Sequence, residues 1–391
     1  MLEDVILGQY EYGVKMGSIK ELFEKGIFSL ALLPEKNDFL LTDEGKRLRS
    51  KLIEEKRIEE YHSLPADERL KYLALEKLDG LEGYTLPLTI HDYGAKTPVM
   101  WNSLYEEKRI NLRNIMVVAN PENLAKIVAV LKEDEKYLGG GMAVGFKEKI
   151  IPFLDGINPV DLRAVNMVYK KGNKLYGENT DAVGFVKSLE ESLASVGKEI
   201  KGSNFVIYGA GGVAKEVTKL LAERKASRIR IVNRTFSKSV ALANFLNEKF
   251  GHIAEGIGEE LSRGAVLNSE VKVDALINLS DKGSDGDLVD IAMFAEANGY
   301  NESKSRDLLR YLRQIRPEVI IADIVLPKVQ PSISLRLAQA EGLKNLLDGK
   351  PMVINQAAPA YNLVQVSHPQ KHKTTISEDE ILKIMRNAAS K

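Results

Sequence analysis

The chain has 391 residues, too many for one ordinary core and suited to two or three domains. Its 55 basic and 55 acidic side chains cancel, so no global field favours nucleic acid or an anionic membrane as partner. Cysteine is absent, which excludes disulfides, thiolate-held metals and a cysteine nucleophile. The start of the chain carries Glu3 and Asp4 instead of a basic stretch before an apolar one, so it does not read as a secretory signal. No uncharged apolar run is long enough to span a bilayer, and the expected location is the cytoplasm. His62, His91, His252, His368 and His372 show no ligand spacing with nearby carboxylates, so no metal is expected.

Residues 1–82 read as a mainly helical, charged extension. Thr42 or Asp43 is the expected N-cap of a helix through Leu48, preceded by a short apolar run from Ile27 to Leu33. That strand–turn–strand–helix cadence resembles the wing of winged-helix proteins. Residues 1–80, however, hold 13 basic against 17 acidic side chains, the wrong sign for a DNA surface. A structural or dimerising appendage, and with it a homodimer, is the better expectation.

From Leu86 onward, short apolar runs alternate with helical patterns, the texture of parallel sheets built from βαβ units. Ile115–Ala119 reads as a strand, and a helix follows from Pro121 to Leu131. Gly139-Gly140-Gly141 reads as a break in the chain. A helix is expected from Asp181 to Leu193, and a second alternating region begins at Asn204.

The sharpest local signal is the apolar run Asn204–Tyr208 followed by Gly209-Ala210-Gly211-Gly212-Val213-Ala214 and a helix to Lys225. In G-x-G-x-x-A the first glycine makes a tight turn, the second admits a pyrophosphate, and the alanine lets the helix pack on the strand. The helix N-terminus adds unpaired N–H groups and its dipole. The next strand, Arg228–Val232, ends at Asn233-Arg234-Thr235, with Lys238 one turn on. Cofactors lacking a 2′-phosphate call for an acid there; these residues instead suit that phosphate, which makes NADP the expected cofactor.

Three further segments belong together: Lys147–Asp155, Ala164-Val165-Asn166, and Asn179-Thr180-Asp181-Ala182-Val183-Gly184. With the glycine loop, the N-R-T turn, Ile277-Asn278-Leu279-Ser280 and Ile354-Asn355-Gln356-Ala357-Ala358, they follow one another in an order that resembles the shikimate dehydrogenase family over residues 86–365. The resemblance implies Lys147 and Asp181 as the catalytic pair, Thr97, Asn166 and Gln356 as substrate contacts, and Asn278 beside the cofactor. For an alcohol–ketone interconversion a lysine beside a carboxylate is sensible: the hydride needs the nicotinamide, and the hydroxyl proton needs an acid or base. Taken alone, Lys147 reads as part of a solvated helix face and Asp181 as an N-cap. The amides of Asn166 and Gln356, alone, read as satisfied polar groups.

The departures from the family pattern concern substrate. The S-x-S-P grip stands here as Ala95-Lys96-Thr97-Pro98, with one hydroxyl left. The strand before the lysine reads Gly141-Met142-Ala143-Val144-Gly145-Phe146, without the usual asparagine and threonine, and Leu326 replaces a tyrosine. Each lost hydrogen bond to a buried carboxylate costs about 1.5–3 kcal/mol. Lys96 offers a replacement charge, against its plainer reading as an exposed lysine. The stretch from Gly299 to Pro317 reads as a helical insertion.

The expected architecture is α/β, a two-domain shikimate dehydrogenase-like plan with an added mainly helical segment. Residues 83–190, completed by helices from 351–391, form the substrate domain, and residues 191–350 a Rossmann domain for NADP. The expected function is interconversion of a cyclic hydroxy acid and its ketone. Two alternatives are a non-catalytic NADP(H) sensor, favoured by the eroded substrate motifs, and a methylenetetrahydrofolate dehydrogenase-like enzyme, disfavoured by N-T-D and A-V-N. Glutamyl-tRNA reductase shares the nucleotide half but needs a thiol.

Overall fold

The computed structural model describes residues 18–143, 145–267, 272–284, 286–295, 301–326 and 330–390. Expectations placed on Glu3, Asp4, Val144, Gly299 and Pro327 lie outside those residues. The chain divides into two units, one running to Glu178 and resuming at Tyr361, the other spanning Asn179–Ala360.

The first unit opens with α1 (Ile19–Glu24), β1 (Ser29–Leu30), α2 (Asp43–Glu54), α3 (Ile58–Ser63) and α4 (Ala66–Leu70). Then come β2 (Gly83–Thr85), β3 (Leu88–Thr89), α5 (Thr97–Glu107), β4 (Leu112–Asn114), β5 (Val117–Val118) and α6 (Leu124–Glu133). The strands β6 (Tyr137–Gly141), β7 (Gly156–Asn158), β8 (Met167–Lys171) and β9 (Lys174–Glu178) complete this stretch. Thr42 starts α2 as expected, its Oγ1 accepting from the Gly45 N–H at 3.0 Å.

Six strands run β4-β2-β6-β8-β9-β7, and a smaller sheet runs β1-β5-β3. The glycine triplet is strand interior, which corrects its reading as a break. A Cβ on Gly140 would stand 2.0 Å from the Leu86 carbonyl oxygen, so glycine is what lets the two backbones approach. The early segment is no loose appendage. Leu22, Phe23, Phe28 and Leu30 share one core with Tyr84, Leu86, Val117 and Val168.

The second unit holds α7 (Asp181–Ser195), β10 (Asn204–Tyr208), α8 (Gly212–Glu223), β11 (Arg228–Asn233), α9 (Phe236–Phe250) and β12 (Ala254–Gly258). It continues with α10 (Ser262–Leu267), β13 (Ala275–Asn278), α11 (Glu302–Ile315), β14 (Ile320–Asp323), α12 (Ile333–Ala340), β15 (Leu346–Leu347) and α13 (Lys350–Asn355). Its strands are all parallel, in the order β12-β11-β10-β13-β14-β15. That is the doubly wound Rossmann order, with an apolar core on each face of the sheet. The helix expected as an insertion is α11, the crossover that the parallel pair β13–β14 requires.

The chain returns to the first unit within α14 (Ala357–Ser367) and ends with α15 (Pro369–His372) and α16 (Glu378–Ala389). Tyr361 meets Trp101 edge-on at 5.3 Å between centroids and His372 at 5.4 Å, closing an aromatic cluster over α5. Among the described residues no helix is long and apolar enough to cross a membrane.

Candidate active site

The nucleotide end is built by β10 and its neighbours. Gly209 has φ +118°, and a Cβ there would lie 2.7 Å from the Leu279 carbonyl oxygen. The tight turn and the adjoining β13 loop both demand glycine. Gly211, which caps α8, meets nothing within 4 Å of a built Cβ, so packing does not explain it. Open space in front of a helix N-terminus is what a pyrophosphate needs, and Ala210, Gly212 and Val213 border it. At the end of β11, Asn233 donates from Nδ2 to the Thr235 carbonyl at 3.0 Å and tightens the turn, while Arg234, Thr235 and Lys238 are exposed. This basic, acid-free turn fits a 2′-phosphate.

Asn278 stands beside Tyr208 in the sheet and is wholly buried. Its Nδ2 donates to the Lys282 carbonyl and to Asp323 Oδ1, both at 2.9 Å. Its Oδ1 accepts from the Ser280 N–H at 3.1 Å and the Ser280 hydroxyl at 2.6 Å. All four hydrogen-bonding positions of the amide are used within the chain, so the side chain of Asn278 shapes the loop after β13. Its partner Asp323 was not singled out from sequence. Burial pushes that carboxyl up to about 6, against donors on Ser332, Val325 and Asn278 that favour the ionised form. An acid ending an otherwise apolar strand was the available signal.

The N-T-D-x-x-G motif acquires a physical reading. Asn179 Oδ1 accepts from the Asp181 N–H at 3.0 Å, and the buried Thr180 hydroxyl donates to Gln356 Oε1 at 2.8 Å. A Cβ on Gly184 would lie 2.5 Å from the Gln356 nitrogen and 2.7 Å from the Met352 carbonyl oxygen. Glycine therefore lets α13 press onto α7, and the Thr180 bond locks Gln356 beside the first turn of α7, where Asp181 stands half-buried. Ser188, one turn beyond Gly184, accepts from Asn355 Nδ2 at 3.0 Å and reinforces the same contact.

In the first unit Lys147 lies in a turn, not on a helix. The turns around it pass into a 3-10 stretch at Ile151–Phe153, where Pro152 has no N–H for an α-helical bond. Gly145 has φ +92° and would crowd Ile90 at 3.1 Å with a side chain, while Phe146 is fully buried and anchors the turn. The Lys147 carbonyl accepts from the Val165 N–H at 2.8 Å. Asn166, 7% exposed, is held on both sides, its N–H donating to the Glu178 carbonyl and its carbonyl accepting from Met142. Lys147 and Asn166 are thus fastened to one small stretch of main chain. Thr97 is elsewhere, at the first residue of α5. Lys96 pairs with Glu35 at 3.1 Å, both partly exposed, which favours the plainer reading of that lysine.

Two family models match the chain: "Shikimate / quinate 5-dehydrogenase" over residues 191–259 and "Shikimate dehydrogenase substrate binding domain" over residues 93–168. The chain is 30% identical over 286 residues to the NADP(+) shikimate dehydrogenase of Halothermothrix orenii, covering 73% of this chain and 89% of the relative. For the Methanocaldococcus jannaschii enzyme of the same name the figures are 28% over 292 residues, 74% and 92%. Among solved structures, a shikimate dehydrogenase in complex with NADP+ matches with TM-score 0.59 at 24% identity, over 80% of this chain and 97% of its own. Shikimate 5-dehydrogenase of Listeria monocytogenes, with shikimate and NAD, matches with TM-score 0.60 at 21% identity, over 78% and 96%.

Proposed function

The chain belongs to the shikimate dehydrogenase family, and from that premise we propose an NADP-dependent oxidoreductase that interconverts a cyclic hydroxy acid of the shikimate type and its ketone. The observation that carries the reading is the N-T-D turn. Thr180 spends its hydroxyl on Gln356, which holds that amide beside the first turn of α7, the turn that Asp181 opens.

NADP supplies the hydride acceptor or donor when bound. The chain's own residues do the rest. The open N-terminus of α8 takes the pyrophosphate, and Arg234, Thr235 and Lys238 take the 2′-phosphate. Lys147 holds the reacting substrate oxygen as an ammonium donor, and Lys147 with Asp181 moves the hydroxyl proton. Gln356 and Asn166 offer donors and acceptors to the ring hydroxyls. The substrate carboxylate sits at Thr97, where one hydroxyl is joined by the N–H groups and dipole end of the 11-residue helix α5. That helix end offsets part of what the missing serines cost.

The test is NADP⁺ reduction, followed as NADPH absorbance, with shikimate, quinate and other cyclic hydroxy acids, beside the Lys147→Ala variant. Turnover in the parent that the variant loses supports the reading. Tight NADPH binding without turnover on any member of the panel favours the sensor instead.

A further inference from the structure

Residues 18–82 lie outside both family matches, yet they reach the substrate side of the first unit through one buried polar relay. On β1, the Ser29 hydroxyl meets His62 Nδ1 at 2.9 Å. His62, on α3, meets Asp92 Oδ2 through Nε2 at 3.0 Å. Asp92 also accepts from the main-chain N–H groups of Leu32 and, at 3.1 Å, Leu33. Its carboxylate is entirely buried and the His62 side chain only 11% exposed. With a proton on Nε2 the ring donates to Asp92, and Nδ1 faces the Ser29 hydroxyl.

The serine, histidine and aspartate stand in the sequence of contacts of a hydrolase triad, but Ser29 is 5% exposed on a paired strand and no substrate carbonyl can reach it. What the relay does instead is fix a position. Asp92 comes three residues after β3, and only Tyr93, Gly94, Ala95 and Lys96 separate it from Thr97 at the head of α5. Within that link Ala95 is buried against Ala31 and Met116, and Lys96 pairs with Glu35, so the early segment holds it at more than one point. The early segment also bonds to the chain before β5 and to α5 itself. Asn37 donates to the Ala31 and Met116 carbonyls at 2.7 and 2.9 Å, and Asn102, on α5, donates to the Lys36 carbonyl at 2.8 Å.

We propose that Asp92, held by His62 and the Leu32–Leu33 amides, is the positioning residue through which the N-terminal segment sets Thr97 and the start of α5 against the substrate carboxylate. The segment is thereby a determinant of substrate affinity, compensating for the reduced grip at Ala95-Lys96-Thr97-Pro98. This rests on the function proposed above. A buried carboxylate with three donors cannot drift, and a side chain 1 Å out of place is enough to weaken an anchor.

The test uses the full chain and steady-state kinetics with the cyclic hydroxy acid that the parent turns over. Asp92→Asn and His62→Ala should each raise KM for that substrate by about tenfold, with kcat and KM for NADP⁺ within about twofold. His62→Gln, which keeps an amide donor toward Asp92, should recover most of the loss. In the Thr97→Ala background, Asp92→Asn should add little, because the two act on one anchor. Leu22→Ala, a core truncation in the same segment, is the control: it lowers Tm without moving substrate KM. If the Asp92 and His62 variants lose only Tm or active fraction, as Leu22→Ala does, the relay is structural and the proposal is overturned. Full additivity with Thr97→Ala overturns it too. A parent that neither binds nor turns over any cyclic hydroxy acid would instead sink the function, and this proposal with it.

Discussion

On the cofactor side of the Rossmann unit the residues proposed for the site are neighbours along the chain, whereas those proposed in the first unit are collected from far apart. Gly209, Gly211 and Ala214 belong to one strand–turn–helix, and Asn179 through Gly184 to one helix start. The proposed substrate side draws on Thr97 on α5, the Lys147 turn and Asn166 before β8, with β1 joining β5 from almost 90 residues away in the sequence. Gly209 and Gly184 answer to backbone constraints that a side chain would violate. Long-range assemblies can exchange one anchor for another. That difference explains why the chain keeps the cofactor motifs and departs at the serines, asparagine and threonine of the substrate grip.

The largest expected effect separates chemistry from binding. Lys147→Ala should lower kcat by about a hundred- to ten-thousandfold while the Kd for NADPH, read by fluorescence titration, stays unchanged. If NADPH binding falls in parallel, the lysine belongs to cofactor placement and the division of labour between the units fails. Gly184→Ala comes next, since its Cβ would meet the Gln356 nitrogen at 2.5 Å. Overpacking of this kind costs about 1–3 kcal/mol in Tm-derived stability. It should also shift Gln356 and raise substrate KM, an effect that a purely structural glycine would not produce.

Arg234→Ala sharpens the cofactor side. Losing a charge-assisted bond to the 2′-phosphate should raise KM for NADP⁺ by roughly ten- to a hundredfold, about 1.5–3 kcal/mol, and leave KM for NAD⁺ unmoved. Equal loss with both cofactors would mean that the turn supports β11 and does not select the phosphate.

The sequence was legible where periodicity and motif coincide. The alternating strands and helices from Asn204 onward gave the doubly wound sheet, and the Thr42 cap of α2 was visible in three letters. Four things were not. Gly139–Gly141 looked like a break because glycine's other use, admitting a neighbouring backbone, depends on where Leu86 lies. Lys147 looked helical because K-E-K fits a solvated helix, and Pro152 ends that possibility five residues later. The four bonds of Asn278 to Ser280, Lys282 and Asp323 depend on how the loop after β13 folds, which the motif does not show. The Ser29–His62–Asp92 relay joins residues about 30 positions apart, and no local pattern announces it.

The smallest effect tests the first unit's own dependence on acid. Burial pushes the His368 imidazole down to about 4, with Lys371 and His372 adding repulsion, and burial likewise lowers His372. Both are therefore neutral in the folded protein at a pH where the unfolded chain already carries protons on them. With folded values below the ordinary 6.5, the unfolded state binds more protons between about pH 4 and 6.5. Stability is full above that window and falls as pH drops through it. Partial exposure of His368 screens the penalty to the order of 1 kcal/mol. Urea midpoints taken every half unit from pH 7 to 4 should decline, and His368→Gln should flatten the decline. Because His372 packs against Tyr361 and Tyr105 over α5, the loss should be read first by Trp101 fluorescence on that helix. A decline that His368→Gln leaves unchanged would shift the acid sensitivity from these histidines to the carboxylates that the fold holds ionised.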